Sequence, residues 1–426
     1  MNKLRAQAAF VVLIYVSIAA CTVRADHPKE VKFMNWWSGA QGVSLAKVIE
    51  DLHGIQDRIR FENLLAPGLG KEYEERAIVM IASGAPPDLM AFTDDNLGGL
   101  VESGNRLSMD LMPLVKRDFP EFLEAVPVQL IEPLRGRDGG LYALPFFFIM
   151  WFHTYNKDLF LEAGLELPQS ETWTWRKAYE ESGPALTKDV NGDGIIDQWF
   201  TNDASTHRYF WRQFIWQNGG EVLDPTGERS LFNTSKTREA IQYMADLIHV
   251  HRVQAAPGTP GGSFIGGTMA VTKGMVLGFD EMKTAARFDW DIVRQPYRER
   301  VAQGLVVNAI GIPFNAPDPE SSWQALKLMV SEEGQRLVAL HHMGTPIYRK
   351  IAHEITFRDA ELPITRPEVA YDVSVARSAI VPHNGRLSEL NNNIVAPYID
   401  RVLRGTMDAN SAAEEVHRLI TVLLQN

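Results

Sequence analysis

The chain has 426 residues, 45% of them hydrophobic and 22% charged, and it holds a single cysteine. This length is enough for two or three domains, and the composition is that of a globular protein, which excludes disordered, fibrous and many-spanning membrane classes. The formal net charge of −11 argues against a nucleic-acid partner, because affinity for a phosphate backbone comes largely from Lys and Arg side chains.

The N-terminal segment has the pattern of a secretory signal peptide. Basic Lys3 and Arg5 precede an apolar run over 8–20, which is shorter than the ~20 residues that a membrane-spanning helix requires. The run ends at Cys21 in a sequence that resembles a bacterial lipobox, in which the cysteine carries the lipid. Residues 23–25 (VRA) form a competing signal-peptidase site. We expect export to the periplasm or cell surface, with a lipid anchor or, alternatively, cleavage after this second site.

Strands and helices are predicted to alternate after this leader. Strands are predicted over 31–35, 59–63 and 88–92, and apolar residues at helical spacing predict helices over 45–52 and 73–81. No hairpin signal separates these elements. The alternation therefore predicts a parallel sheet with helices on its faces.

The rest of the chain continues as a mixture of helix and strand. The apolar segment 142–148 contains a central proline, which argues against a helix. Helices are predicted over 240–248 and through most of 392–424, and a further α/β stretch over 291–330. The Gly and Pro residues clustered at 257–267 predict an irregular loop.

Seven short segments form an ordered set along the chain. They are 73–92 (YEERAIVMIASGAPPDLMAF), 140–164 (GLYALPFFFIMWFHTYNKDLFLEAG), 171–173, 216–224, 264–270, 289–293 and 331–335. In order and spacing they resemble the extracellular solute-binding proteins of ABC transporters, in the carbohydrate-binding branch that includes maltose-binding protein. Two features depart from the family: Gly267 stands where a polar residue such as lysine is usual, and residues 146–148 are three phenylalanines.

The resemblance implies an α/β, two-lobe periplasmic-binding-protein fold (type II-like) with a hinge and an interlobe ligand cleft. After a signal peptide over 1–20, lobe 1 would comprise 26–147 plus 297–344, and lobe 2 would comprise 148–296 plus 345–426. The carboxyl ends of the strands would face the cleft, which is where open α/β sheets bind their ligands.

Candidate ligand-binding residues lie in the loops and segments that would face this cleft. Sugar binding needs flat apolar surfaces for the ring faces and planar hydrogen-bonding groups for the hydroxyls. The candidates are Trp36, Trp37, Phe92, Thr93, Asp94, Asp95, Trp151, His207, Trp211, Gly266, Gly267, Asp280, Glu281 and Arg349. The two glycines would let backbone N–H groups approach a ligand closely. The resemblance favours His207 or Trp211 over Trp216, and leaves core packing open for Trp151.

Other candidates also have structural alternatives. One of Trp36 and Trp37 is expected in the core, because adjacent residues that leave a strand point to opposite sides. Asp94 or Asp95 would serve equally well as the N-cap of a following helix. Arg349 fits a surface helix as well as it fits the cleft.

A loop that starts at Asp189 matches part of a calcium-binding pattern. Oxygen ligands at positions 1, 3, 5, 7 and 9 would come from Asp189, Asn191, Asp193, Ile195 and Asp197. Position 12, normally a bidentate glutamate, is Phe200. The alternatives are a structural calcium site and a tight turn built on Asp and Asn side chains.

No enzyme signature is present in the sequence. The segment 261–265 lacks the second glycine of a nucleophile elbow, and no P-loop, dinucleotide fingerprint or HExxH motif occurs. The histidines at 249/251 and 341/342 have no further metal ligand at a suitable spacing. We therefore predict no catalytic residues and no required cofactor.

The sequence thus predicts a monomeric extracytoplasmic protein that captures a mono- or oligosaccharide and delivers it to the permease subunits of an ABC importer. The ligand would stabilise a closed form by contacting both lobes. Two alternatives stay open: the same fold binding a glycerophosphodiester or a polyamine, and a secreted glycan-acting hydrolase. The acid-rich loops disfavour a phosphate ligand, which prefers basic side chains or free helix N-termini.

Overall fold

The structure is a computed structural model that describes residues 28–66, 68, 71–97, 107–356 and 362–425. The predicted signal peptide and Cys21 lie outside the described residues. Within the described part of the chain, no helix combines the length and the apolar character needed to cross a membrane.

The strands of the described residues form two sheets. They are β1 (Lys29–Asn35), β2 (Ile59–Leu65), β3 (Leu89–Thr93), β4 (Leu144–Met150), β5 (Phe152–Asn156), β6 (Val271–Gly274), β7 (Trp290–Val293), β8 (Gln303–Gly311) and β9 (Ala376–Arg377). The larger sheet has the order β2-β1-β3-β8-β4, and β9 pairs with β8. The smaller sheet has the order β6-β5-β7.

Helices of six or more residues cover both sheets. They are α1 (Gly39–Ile55), α2 (Lys71–Ala82), α3 (Met112–Asp118), α4 (Lys157–Glu162), α5 (Arg208–Gln217), α6 (Ser235–His249), α7 (Phe279–Ala285), α8 (Pro319–Val330), α9 (Glu332–Leu340), α10 (Ala396–Leu403) and α11 (Ala409–Gln425). Shorter turns are Phe122–Ala125, Val128–Ile131, Gly183–Leu186, Arg349–Ile351 and Leu387–Glu389, and wider π-helical turns are Arg176–Ser182, Ala352–Thr356 and Leu390–Val395.

The larger sheet is only partly parallel. β1 is parallel to β2 and β3, as the alternation of strands and helices predicts. β8 is antiparallel to β3 and β4, and the smaller sheet is antiparallel throughout. The prediction of a parallel sheet, drawn from the strands up to residue 92, is therefore confirmed for β1–β3, whereas β4–β8 pair antiparallel with one another and with β3. The reason is that β8 enters the larger sheet directly from the smaller one, without a βα crossover on the same sheet.

Predicted helices are confirmed where one apolar face recurs at helical spacing. α1 buries Leu45, Val48, Ile49 and Leu52, and α6 buries Ile241 and other residues of the same face. α8 and α9 begin at side-chain caps: Asp318 accepts from the Ser321 N–H, and Ser331 accepts from the Gly334 N–H. The predicted C-terminal helical region is divided into a π-helical turn, α10 and α11.

Three large apolar clusters and a small one of Trp151, Tyr209 and Val306 stabilise the fold. The first core lies on the larger sheet and includes Phe33, Phe92, Phe147, Val307 and Trp323. The second core lies on one face of the smaller sheet and includes Tyr155, Trp173, Trp211, Val271 and Val416. The third core lies on the other face and includes Phe152, Phe279, Trp290 and Ile292. Strand residues alternate between these last two cores, as the period of two along a strand requires.

The chain passes between the cores at positions close to the predicted lobe boundaries. Met150 packs in the first core and Phe152 in the third, and the chain returns between Val293 and Leu305. Residues 347–352, which the prediction assigns to lobe 2, contribute Ile347 and Ile351 to the first core. The lobe division stays a prediction, and this packing favours a third boundary after residue 352.

Candidate ligand-binding cleft

Two adjacent carboxylates lie at the carboxyl end of β3. β3 is buried along its whole length and ends at Thr93, so Asp94 and Asp95 follow directly from the centre of the larger sheet. Asp94 is only 3% exposed, and its Oδ1 accepts a hydrogen bond from the Val307 N–H of β8 at 3.1 Å. The side chain of Asp95 points to the N-terminal half of α5, as its ion pairs show.

α5 brings two guanidinium groups to Asp95. The Arg208 Nε lies 2.9 Å from Asp95 Oδ2, and the Arg212 Nη1 lies 3.6 Å from Oδ1. Residues four apart occupy the same helix face, which is why both arginines reach one carboxylate. The buried Arg212 also donates to Asn391 Oδ1. Because α5 packs in the second core and Asp95 follows a first-core strand, these ion pairs join the two halves of the molecule.

The two carboxylates have opposite electrostatic surroundings. Burial and the neighbouring charge of Asp95 raise the pKa of Asp94 to about 7. Burial alone would also raise the pKa of Asp95, but the charges of Arg212 and Arg208 outweigh it and lower that pKa. Asp94 can therefore hold a proton near neutral pH and donate a hydrogen bond, whereas Asp95 is an acceptor.

Aromatic side chains lie beside these charges. Trp151 stacks on Tyr209 with ring centroids 4.5 Å apart, and Phe210 meets Trp151 edge-on at 5.8 Å. His207 lies 5.0 Å from the Phe210 ring, and the Lys273 ammonium lies 4.1 Å from the centroid of that ring. Burial and the charge of Arg208 lower the pKa of His207 to about 4, so it is neutral at pH 7. These aromatic side chains form a wall next to hydrogen-bonding groups, and of the rings of Trp151, Tyr209 and Phe210 only that of Phe210 is partly exposed.

A buried polar network lies next to this wall and meets it at Lys273. The His153 Nε2 lies 3.0 Å from Asp203 Oδ2, which also accepts from the Tyr179 hydroxyl at 2.8 Å. The Trp173 N–H donates to His153 Nδ1 at 3.3 Å, which leaves the ring proton on Nε2 to donate to Asp203. Burial would raise the pKa of Asp203, but the partners led by His153 lower it to about 2. Burial lowers the pKa of the adjacent Lys273 to about 8.

Three candidates lie in the cores and not in the cleft. Trp37 packs against Phe33 and Phe147 in the first core. Phe92 is fully buried in the same core. Trp211 is 0% exposed and meets Phe232 edge-on in the second core. The burial of these three rings disfavours a ligand role, and for Trp37 it agrees with the expectation that one of the two adjacent tryptophans lies in the core.

Trp36 lies at the carboxyl end of β1 but is also buried. Its ring packs edge-on against Tyr73 of α2 at 4.9 Å. The Tyr73 hydroxyl donates to the Met34 and Ala91 carbonyls, and so ties α2 to β1 and β3. Trp36 therefore supports this end of the sheet, and a ligand role for it stays untested.

The candidates on later loops are separate from Asp94 and Asp95. The Gly266 N–H donates to Ser263 Oγ at 3.1 Å and the Gly267 N–H to the Phe264 carbonyl at 2.9 Å. These donors are used within a turn, in which Gly267 takes a φ of +75°. They are therefore not offered to a ligand. Asp280 pairs with His342, and Glu281 and Arg349 are exposed on their helices.

The predicted calcium loop is closed by its own backbone. Asp189 accepts from the Gly192 and Gly194 N–H groups, each at 2.7 Å, and Asp197 accepts from the Val190 N–H at 3.0 Å. Over the described ranges, no group of three or more His, Cys, Asp or Glu side chains is placed to hold a metal ion. The calcium prediction is not supported, and the alternative of a tight turn built on Asp and Asn side chains fits the contacts.

Sequence reasoning missed the residues of α5 and β6 that complete the site. These are Arg208, Tyr209, Phe210, Arg212 and Lys273. Eight of the ten residues of α5 are buried, and they include polar residues such as Arg212 and Gln213, which sequence reasoning assigns to the surface. The available signal was the spacing of two arginines four apart in an otherwise aromatic segment.

The sequence model of the family described as "bacterial extracellular solute-binding protein" matches residues 67–336. The chain belongs to this family. Membership places this solute-binding protein among extracellular binding proteins and confirms the resemblance drawn from its segments. The family is one of binding proteins and not of enzymes.

Individual relatives agree with this assignment. The arabinooligosaccharide-binding protein of Halalkalibacterium halodurans is 29% identical over 208 residues, which are 45% of this chain and 43% of that protein. An ABC substrate-binding protein from Listeria monocytogenes in complex with cycloalternan has a TM-score of 0.79 at 19% identity, over 93% of this chain and 99% of that one. The cyclic α-maltosyl-1,6-maltose binding protein from Arthrobacter globiformis has a TM-score of 0.74 at 18% identity, over 94% and 100%. These likenesses confirm the two-lobe fold.

Proposed function

We propose that this solute-binding protein captures a carbohydrate outside the cytoplasm and delivers it to the permease subunits of an ABC importer. The observation that carries the proposal is the meeting of Asp95 with Arg208 beside the Trp151–Tyr209 stack. This place combines ring faces with charged hydrogen-bonding groups, which is the chemistry that sugar hydroxyls and C–H faces require. The three relatives named above are described as binding oligosaccharides, which supports a carbohydrate ligand here.

The arrangement also gives a binding mechanism. Asp94 and Asp95 follow a first-core strand, whereas α5 packs in the second core through Trp211 and Phe214, and its Tyr209 meets Trp151 between the two. A ligand that contacts both sides has a higher affinity for the closed form, and it shifts the population by that difference. The Trp151 N–H is buried without a hydrogen-bond partner in the described part of the chain, and we propose it as a donor to a ligand hydroxyl.

A ligand panel tests the proposal. Thermal unfolding of the full chain is followed with maltooligosaccharides, arabinooligosaccharides, cyclic glucans, glycerophosphocholine and spermidine. A sugar present at 100 times its Kd should add about 2.7 kcal/mol to the free energy of unfolding. Stabilisation by glycerophosphocholine or spermidine alone would overturn the carbohydrate proposal, and sustained release of reducing ends would overturn the binding-protein proposal in favour of a hydrolase.

Lipid attachment at Cys21 and a monomeric state complete the proposal. The lipobox-like sequence before Cys21 supports the anchor, and mass spectrometry of the membrane-extracted N-terminal peptide tests it. A mature peptide that begins after Ala25 would overturn it. Light scattering of the purified protein tests the monomer.

A further inference from the structure

α9 ends in a Schellman motif in which a histidine takes the position usual for glycine. The Met343 N–H donates to the Val338 carbonyl at 3.1 Å and the His342 N–H to the Ala339 carbonyl at 3.2 Å. His342 has a φ of +47°, in the left-handed region that side chains other than glycine's disfavour. This backbone conformation costs free energy for a residue other than glycine, which indicates that the contact of the His342 side chain has a role.

The His342 ring makes one close polar contact. Its Nδ1 lies 2.7 Å from Oδ1 of Asp280, with side chains 15% and 66% exposed. Asp280 lies in the first turn of α7, where the helix dipole favours a negative charge. His342 follows the C-terminus of α9, where the dipole favours a positive charge.

The pair joins two different cores. Met343, the next residue after the histidine, is buried in the first core. Phe279 and Met282, on either side of Asp280, are buried in the third core. The contact also lies close to a chain crossing, since Thr345 pairs with Phe148 through backbone hydrogen bonds. The pair therefore links the two halves of the molecule.

The neighbouring histidine offers a matched comparison. The His341 Nε2 lies 2.7 Å from Oδ2 of Asp51 in α1. Both α1 and α9 pack on the first core, so this second pair stays within one half of the molecule. Two adjacent histidines thus make similar ion pairs, one within a half and one between the halves.

We propose that His342 and Asp280 form a proton-dependent latch that favours the closed cleft, and that they act as positioning residues for ligand binding. Histidine changes its charge between about pH 5 and 8, so the ion pair is stronger at the acidic end of this range. The proposal rests on the proposed function only for its effect on ligand affinity. The other charged groups on the two helices of this pair are Glu281 and Lys283 of α7 and Glu332, Glu333 and Arg336 of α9. Arg336 pairs with Glu354, and the adjacent His341 pairs with Asp51.

Small-angle scattering of the full chain without ligand tests the latch itself. The wild-type protein should have a smaller radius of gyration at pH 6 than at pH 8. His342→Gly should abolish this difference, and His341→Gln should keep it. Glycine suits the left-handed backbone, so the Tm of His342→Gly should not fall, which excludes misfolding as the cause. Unchanged pH dependence in His342→Gly, or its loss in His341→Gln, would overturn the latch.

Calorimetric titration with the sugar of the panel that gives the largest thermal shift tests the effect on affinity. The Kd of His342→Gly at pH 6 should be about 2- to 5-fold higher than that of the wild type, the range expected for one partly exposed ion pair. At pH 8 the two Kd values should converge, and Asp280→Asn should behave like His342→Gly. Equal Kd values at pH 6 would overturn the positioning role. If no sugar binds the wild type, the proposed function fails while the scattering test still decides the latch.

Discussion

Asp94 and Asp95 show how neighbouring carboxylates can take different roles. Asp94 turns back to β8 and accepts a backbone N–H, whereas Asp95 reaches the arginines of α5. The pKa of Asp94 is raised and that of Asp95 is lowered. A protonated Asp94 can donate a hydrogen bond, which an ionised carboxylate cannot. The sequence places both side chains at the cleft but carries no information on this difference, because it depends on partners more than 100 residues away.

Asp94→Asn should flatten the dependence of stability on pH. The pKa of Asp94 in the folded protein is about 7, above the value of about 3.9 in an unfolded chain. The folded state therefore holds its proton longer, and the free energy of unfolding falls as pH rises from about 4 to about 7, by up to about 1.4 kcal/mol per pH unit. Asparagine has no carboxyl group to titrate, so this pH dependence is lost, while its amide oxygen still accepts the hydrogen bond from the Val307 N–H. Urea unfolding at pH 5 and 7.5 measures it.

The exposed loop residue Asp193 supplies the control for this experiment. Asp193→Asn keeps an acceptor for the Ile195 N–H and should leave the pH dependence of the wild type in place. A slope in Asp94→Asn equal to that of Asp193→Asn would contradict the proposed protonation of Asp94.

Trp211 and Phe210 are adjacent but should respond differently to truncation. Trp211 fills the second core, so Trp211→Ala should lower the free energy of unfolding by about 3–5 kcal/mol. Phe210 is partly exposed beside Trp151, so Phe210→Ala should cost less stability and raise the Kd for the sugar about tenfold. Denaturant unfolding and calorimetry of both variants check this. A large loss of stability in Phe210→Ala together with a higher Kd in Trp211→Ala would contradict the placement of the ligand beside Phe210.

At the scale of elements, sequence reasoning predicts a helix correctly where only one of its faces is buried, and it misses a helix that is buried on most sides. α1 and α6 have a single buried face, and their spacing predicts them. α5 lies between the second core and the end of β3 and buries polar Arg212, Gln213 and Gln217 together with its apolar residues, so residue polarity does not reveal which of its side chains are buried. The antiparallel β8 was missed for a related reason: a buried strand has the same apolar pattern in either direction.

Removal of Arg212 from α5 should leave a buried carboxylate short of positive charge. Arg212→Met should lower the free energy of unfolding by about 3–5 kcal/mol, the cost of breaking a buried ion pair from one side. Adding Asp95→Asn should recover part of this loss, since the uncompensated charge is then gone. Chemical unfolding of the two single variants and the double variant gives the coupling. Strictly additive losses would show that Arg212 and Asp95 do not interact.

At the scale of the whole molecule, the order of short segments predicts the two-lobe fold, but only the folded chain assembles the site. Asp95 and Arg208 are 113 positions apart, and nothing near either residue specifies the other. Single-residue candidates chosen from loops therefore include core residues such as Trp37, whereas the residues that join the halves become visible only as pairs. The predicted lobe boundary after residue 344 also differs from the boundary that the packing favours, because Ile347 packs in the first core.

A second contact between the halves provides a test of closure that is independent of both the ligand residues and histidine. Arg137 donates to the Thr226 carbonyl at 2.7 Å, from a first-core loop to a second-core turn, whereas Arg135 bonds Glu132 in its own segment at 2.9 Å. If ligand affinity includes the free energy of closing, Arg137→Gln should raise the Kd for the sugar about 2- to 5-fold at every pH. Arg135→Gln should leave the Kd unchanged, because its partner moves with it. Calorimetric titration of both variants decides the matter: equal Kd values would mean that the Arg137 contact forms in the open state as well, and that closure depends on other pairs.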